Sequence, residues 1–180
     1  EGIRAVVEAI WECPELGNID TFNNDPNKSQ TNFEKQKINT DIIAETLGLE
    51  CIGWIFTCPG VDKNTLPSEM IIKCARLQSR YSYRHPCGLK VPKFISLVLK
   101  LDMSNSGYTE CYMISDLIQN MERDNILAPI ADQINNDNNN ETLISVRKPG
   151  KDEFMPQVFQ ESKPVMKFHR DFSLINVNIN

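Results

Sequence analysis

A chain of 180 residues with 41% hydrophobic and 24% charged residues has the composition of one ordinary folded domain, long enough to bury a core without disulfides or metal staples, which excludes global disorder. Nineteen Lys and Arg against 24 Asp and Glu leave a net charge of -5, a balance that argues against a surface built to neutralise phosphates, so no nucleic-acid partner is expected. The longest uncharged apolar stretches, residues 51–61 and 94–99, fall well short of the ~20 residues of a membrane span, and no basic-then-apolar secretory signal is visible near Glu1.

Residues 3–11 set Ile3, Ala5, Val7 and Ala9 on one parity against Arg4 and Glu8 and then meet Pro14, the pattern of a strand ended by a turn. Residues 17–39 are polar, Asn-rich and aperiodic, and read as a long surface loop. Thr40 is placed to cap a short helix over 41–47, with Asp41 in its first turn and Gly48 positioned for the left-handed stop. Residues 51–57 are apolar on both parities, as in a central strand covered on both faces, and Pro59-Gly60 supplies the turn that closes it. A second helix is predicted from Pro67, where Met70, Ile71, Cys74, Leu77 and Tyr81 recur at helical spacing.

Residues 94–99 and 109–113 predict two strands joined around Asn105-Ser106-Gly107, a hairpin turn. A helix over 116–123 follows, capped by Ser115, with Leu117, Ile118 and Met121 facing inward. Residues 132–140 form an Asn-rich tract that reads as a loop insertion. Residues 154–159 and 172–180 predict two further strands, the last alternating so that one face is wet. Strands alternating with helices give an α/β or α+β domain around one mixed sheet.

The side chains that carry chemistry are sparse. Six Cys are scattered, several of them in apolar runs, and read as thiols rather than a disulfide framework. No CxxC pair occurs, and His85-Pro86-Cys87 lacks the further ligands a structural zinc needs. Only His85 and His169 are available as bases, neither beside a nucleophile, and no glycine-rich phosphate loop is present. No cofactor is expected.

The informative string is Gly53-Trp54-Ile55-Phe56-Thr57-Cys58-Pro59-Gly60. It resembles the strand exit of the JAMM metallo-isopeptidases of the MPN fold, in which Gly-Trp-x-His-[Ser/Thr]-His-Pro supplies two zinc-binding imidazoles. Carried over by position, Phe56 and Cys58 stand where those imidazoles would be. The stretch Leu66-Pro67-Ser68-Glu69-Met70 resembles the following Leu-Ser-Ser-x-Asp pattern, with Met70 at the Asp, or Glu69 if the loop is aligned without an extra residue. Neither register restores three protein ligands and an open water position.

A closer resemblance covers most of the chain outside the Asn-rich stretches. Gly2-Ile3-Arg4-Ala5, residues 43–49 running into Gly53-Trp54-Ile55-Phe56-Thr57, residues 66–77, Tyr112-Met113-Ile114-Ser115, Ile126-Leu127-Ala128-Pro129 and Met155-Pro156-Gln157-Val158-Phe159 are similar to the nuclear protein localization protein 4 family. The resemblance implies an MPN-type mixed sheet flanked by helices. On it, residues 1–130 are an MPN-like domain lacking the first helix and strand of the full domain. Residues 131–180 then add the Asn-rich loop and C-terminal strands, packed on or extending that domain.

The function implied is that of a pseudoenzyme: a ubiquitin-binding adaptor that pairs with ubiquitin fusion degradation protein 1 and recruits ubiquitylated clients to a valosin-containing-type AAA ATPase. The implied setting is the cytoplasm and nucleus, including the cytosolic face of the endoplasmic reticulum. The implied site is a vacant metal position at Phe56, Cys58 and Met70, flanked by a peptide or ubiquitin groove at Thr57, Asp62, Lys63, Asn64 and Ser68. A residual isopeptidase using Cys58 and Glu69 is the competing reading, and a scaffold without ubiquitin contact is a third.

Overall fold

The structure is a computed structural model that describes residues 6–12, 30–57, 66–84, 86–88, 90–101, 106–129 and 143–178. The chain forms two compact units, residues 1–52 and 53–180.

In the first unit, residues 6–12 carry no regular structure, and Val6, Val7 and Ile10 are exposed. This corrects the strand predicted over 3–11, as far as its residues are described: alternating parity makes a strand only where a ladder partner accepts it. Helix α1 spans Gln30–Thr46. It replaces the predicted loop over 30–39 and begins well before the predicted cap. Its Glu, Lys and Gln residues are good helix formers whatever their apolar period, and Lys37 pairs with Asp41 one turn on at 2.5 Å. Thr40 therefore lies inside the helix, where its hydroxyl donates to the Gln36 carbonyl at 2.9 Å. The stop is as predicted: Gly48 takes φ 72°, Gly48 N–H donates to Glu45 O at 3.0 Å and Leu49 N–H to Ala44 O at 2.8 Å, the paired bonds of a Schellman ending.

The second unit is built on a four-stranded mixed sheet of β1 (Gly53–Thr57), β4 (Ile95–Leu101), β5 (Gly107–Ile114) and β10 (Leu174–Asn176), in the order β1-β4-β5-β10. β1 runs parallel to β4 and the other pairs are antiparallel. The predicted hairpin is thus present, with residues 102–105 of its turn outside the described ones. β1 is the outermost strand of this sheet rather than a central one, and it starts at Gly53 rather than residue 51. Its two parities part company: Trp54 and Phe56 turn toward the core while Ile55 is exposed.

Helix α2 (Ser68–Arg80) packs on that core face, with Met70, Ile71, Cys74 and Ala75 buried. Helix α3 (Asp116–Arg123) adds Ile118 and Met121, but Leu117 is exposed. Ser115 holds the N-cap position as predicted, yet its hydroxyl does not cap the helix; it donates to Phe172 O at 2.9 Å and so ties α3 to the C-terminal segment.

Small antiparallel pairs complete the unit. They are β2 (Tyr83–Arg84) with β3 (Lys90–Val91), β6 (Leu143–Ser145) with β9 (Lys167–His169), and β7 (Phe159–Gln160) with β8 (Lys163–Pro164). The strand predicted over 154–159 is reduced to its last residue, and Phe154 is 95% exposed. The strand predicted over 172–180 is the short β10, because a 3-10 turn at Arg170–Ser173 occupies its start. The predicted turn at Pro59-Gly60 and the Asn-rich tract over 132–140 lie outside the described residues.

Candidate functional site

The start of β1 is fixed by close packing. A Cβ added to Gly53 would lie 2.6 Å from the Ile95 carbonyl oxygen, so only glycine lets β1 approach β4 at this point. One residue on, the half-buried Trp54 indole donates from Nε1 to Ser96 Oγ at 2.9 Å, which gives its polar edge a partner inside the sheet face. Its ring centroid lies 4.4 Å from that of Phe56.

Phe56 is 8% exposed and Met70 5% exposed, and both belong to a buried cluster that also draws on α2, α3 and the sheet. The positions at which the resemblance puts metal ligands are thus, where described, part of the apolar core. A phenyl ring offers no donor atom, and a thioether in the same buried apolar cluster is not a zinc ligand of the usual kind. Cys58 lies outside the described residues. Among the described residues no three His, Cys, Asp or Glu side chains gather as a metal site, so those described do not fit a catalytic zinc. Glu69, the other carried-over position, forms an ion pair with the buried Lys73 one turn along α2.

The sheet face that holds Phe56 continues into a polar cluster. Phe56 pairs in register with Val98, Val98 with Glu110, and Lys100 with Tyr108, so Phe56, Val98, Lys100, Glu110 and Tyr112 share one face. Lys100, buried along its length, forms an ion pair with Glu110, and the Tyr112 hydroxyl donates to the same carboxylate oxygen. Burial opposes ionisation of Glu110, but the hydrogen bonds from Lys100 and Tyr112 outweigh it and hold the carboxyl below its ordinary value. Burial and then the Glu110 carboxylate push the Tyr112 phenol up. The sequence carried a signal for this cluster: Lys100, directly after the first strand of the predicted hairpin, and Glu110, within the second.

The predicted groove residues separate. Thr57 is exposed at the end of β1. Ser68 is fully buried, and its hydroxyl donates to Leu143 O at 3.3 Å. It is therefore not an exposed wall: β6, which the sequence did not reveal, brings a carbonyl over the first turn of α2. Asp62, Lys63 and Asn64 lie outside the described residues. The approach to α2 is held from the far end of the chain by buried Arg170, whose Nη1 donates to Leu66 O at 3.0 Å. No periodicity marks Arg170 for this role, because the contact joins residues distant in sequence.

A family model described as the NPL4 family matches residues 1–178. The nuclear protein localization protein 4 homolog of Drosophila melanogaster is 28% identical over 181 residues, covering 90% of this chain and 25% of the relative. The human homolog is 27% identical, covering 96% of this chain and 28% of the relative. The Kluyveromyces lactis protein of the same name is 26% identical, covering 98% and 32%. The chain thus spans about a quarter to a third of the length of these relatives.

Proposed function

The chain belongs to the NPL4 family, and on that premise we propose that it is a pseudoenzyme module that binds ubiquitin chains as part of an adaptor. The adaptor pairs with ubiquitin fusion degradation protein 1 and delivers ubiquitylated clients to a valosin-containing-type AAA unfoldase for proteasomal degradation. It works in the cytoplasm and nucleus, including the cytosolic face of the endoplasmic reticulum, and its contacts with the ATPase fall mainly in parts of the protein other than this chain. No helix among the described residues is long and apolar enough to cross a membrane.

The observation that supports a binding role over a catalytic one is the placement of Phe56 and Met70 in the core. Water activation by zinc needs three ligands and an open position, and two of the carried-over positions are committed to packing. Glu69, on which the isopeptidase reading depends, is paired with Lys73. Recognition of an extended polypeptide does not need the metal, since main-chain hydrogen bonds and side-chain pockets supply its affinity. The groove we propose comprises Thr57, Asp62, Lys63 and Asn64, with Ser68 serving the core instead.

Hydrogen exchange on the chain with and without polyubiquitin tests the assignment. Protection of amides over 57–68 is expected. Tight binding with protection confined to other surfaces would place the site elsewhere, and no binding would leave the scaffold reading.

A further inference from the structure

The groove residues Thr57, Asp62, Lys63 and Asn64 lie in sequence between two fixed points of the fold, and the second is set from a distant part of the chain. The first is the end of β1, where Thr57 pairs in register with Leu99. The second is Leu66, which is fully buried and precedes Pro67. The proline ring keeps Leu66 out of the helical region, and Ile71 N–H donates to Pro67 O at 3.1 Å where α2 begins. A backbone carbonyl buried at Leu66 needs a donor. Arg170 supplies it, Nη1 donating to Leu66 O at 3.0 Å from 104 residues away.

Arg170 can hold that point because it is held itself. It is 7% exposed and opens the 3-10 turn Arg170–Ser173, which Ser115 binds twice, its N–H donating to Ser173 O at 2.9 Å and its hydroxyl to Phe172 O at 2.9 Å. The preceding residue, His169, pairs in register with Leu143, whose carbonyl accepts from the Ser68 hydroxyl at 3.3 Å. Ile144 and Phe168, the next pair of the same two strands, belong to the core cluster. The β6–β9 pair and the residue that follows it therefore hold the chain on both sides of Pro67, at Leu66 and at Ser68. The Arg170 arm is the stronger, since a hydrogen bond from a charged donor is worth roughly twice a neutral one. We propose that Arg170 is a positioning residue for polypeptide binding: by fixing Leu66 it sets where the groove ends before a ligand arrives, which leaves less to be ordered on binding. This rests on the ubiquitin-groove reading and extends it to the C-terminal segment.

Polyubiquitin is titrated into the chain and its variants, and hydrogen exchange is followed with and without it. In the parent, protection should fall over 57–68; no binding, or protection confined elsewhere, marks failure of the groove reading and removes the proposal with it before any variant is compared. Arg170→Gln should weaken binding about tenfold, the effect expected when one or two freed side chains must be ordered again on binding, and should speed exchange at Ile71 in the free chain. Arg170→Lys, which keeps a charged donor on a long stem, should recover most of the affinity. Gln78→Leu, which loosens the opposite end of α2, should bind as the parent does at a temperature where both are folded, so that a general loss of stability is told apart from a loss of positioning. Parental affinity in Arg170→Gln, or an equal loss in Gln78→Leu, would overturn the proposal. If Arg170→Gln fails to fold, Ser68→Ala removes the weaker arm alone: a loss of about threefold is expected, and parental affinity there would overturn the proposal.

Discussion

The Gln78 carboxamide binds the backbone of Ile114 in both directions: Ile114 N–H donates to Oε1 at 2.8 Å, and Nε2 donates to Ile114 O at 3.0 Å. Gln78 is fully buried on α2 and Ile114 ends β5, so the side chain ties helix to sheet as a neighbouring strand would. Gln78→Leu preserves bulk but leaves a buried N–H without its acceptor, and should cost ~1–3 kcal/mol. The urea midpoint measures this. Gln78→Glu keeps an acceptor and should cost less at neutral pH only if the charge reaches solvent; buried as this position is, it should cost more.

The aromatic pair on β1 should be unequal. Phe56→Ala empties a core position and should cost ~3–5 kcal/mol, the range for large buried aromatics. Trp54 is only half-buried, so Trp54→Ala should cost less than Phe56→Ala. Phe56→His restores one imidazole of the resembled pattern, yet should lower the thermal midpoint and bind no stoichiometric zinc, because Met70 on the facing helix remains in the core. Elemental analysis of that variant checks it, and zinc recovered at one ion per chain would contradict the packing account.

Gly53→Ala should destabilise by ~1–3 kcal/mol, the usual cost of overpacking. The nearest atom to the new methyl is the Ile95 carbonyl oxygen at 2.6 Å, ahead of the Ile95 side chain at 2.9 Å. Trimming that side chain with Ile95→Ala in the same molecule should therefore not restore stability. Recovery in the double variant would show that the clash is with side chain rather than backbone.

Glu110 links stability to acid. Its carboxyl ionises more readily in the folded chain than its ordinary value of 4.5, so the folded state holds fewer protons than the unfolded one in that region. Its stabilisation is complete above pH ~4.5 and is lost as the pH falls below it through the depressed folded value. Glu110→Gln should flatten the acid limb of a plot of stability against pH. A parallel limb in the variant would mean that the Lys100–Glu110 pair contributes nothing to folding.

How far the sequence could be read follows the range of the interactions. α2 and the hairpin of β4 and β5 were legible because one residue type recurs at the period of the element, as with Met70, Ile71 and Cys74. The start of α1 was not, because its polar residues have helix propensity but no apolar stripe, and an Asn-rich run upstream reads as loop. Ser68 was misplaced for a different reason: a serine in a helical first turn looks like surface until a carbonyl from Leu143 is brought over it. Arg170 reaching Leu66 is the same kind of case. At the candidate site, the residues that stand at the two imidazole positions of the resembled pattern, Phe56 and Cys58, were legible from the sequence alone. That Phe56 and Met70 share one core cluster needed the fold.

The most direct measurement is a calorimetric titration of polyubiquitin into the chain in the presence of a metal chelator, with the chains recovered and sized afterwards. The proposed adaptor role predicts saturable binding that the chelator leaves unchanged and ubiquitin chains recovered intact. Absence of binding, or binding and chain cleavage that both vanish when chelator is added and return with zinc, would contradict it.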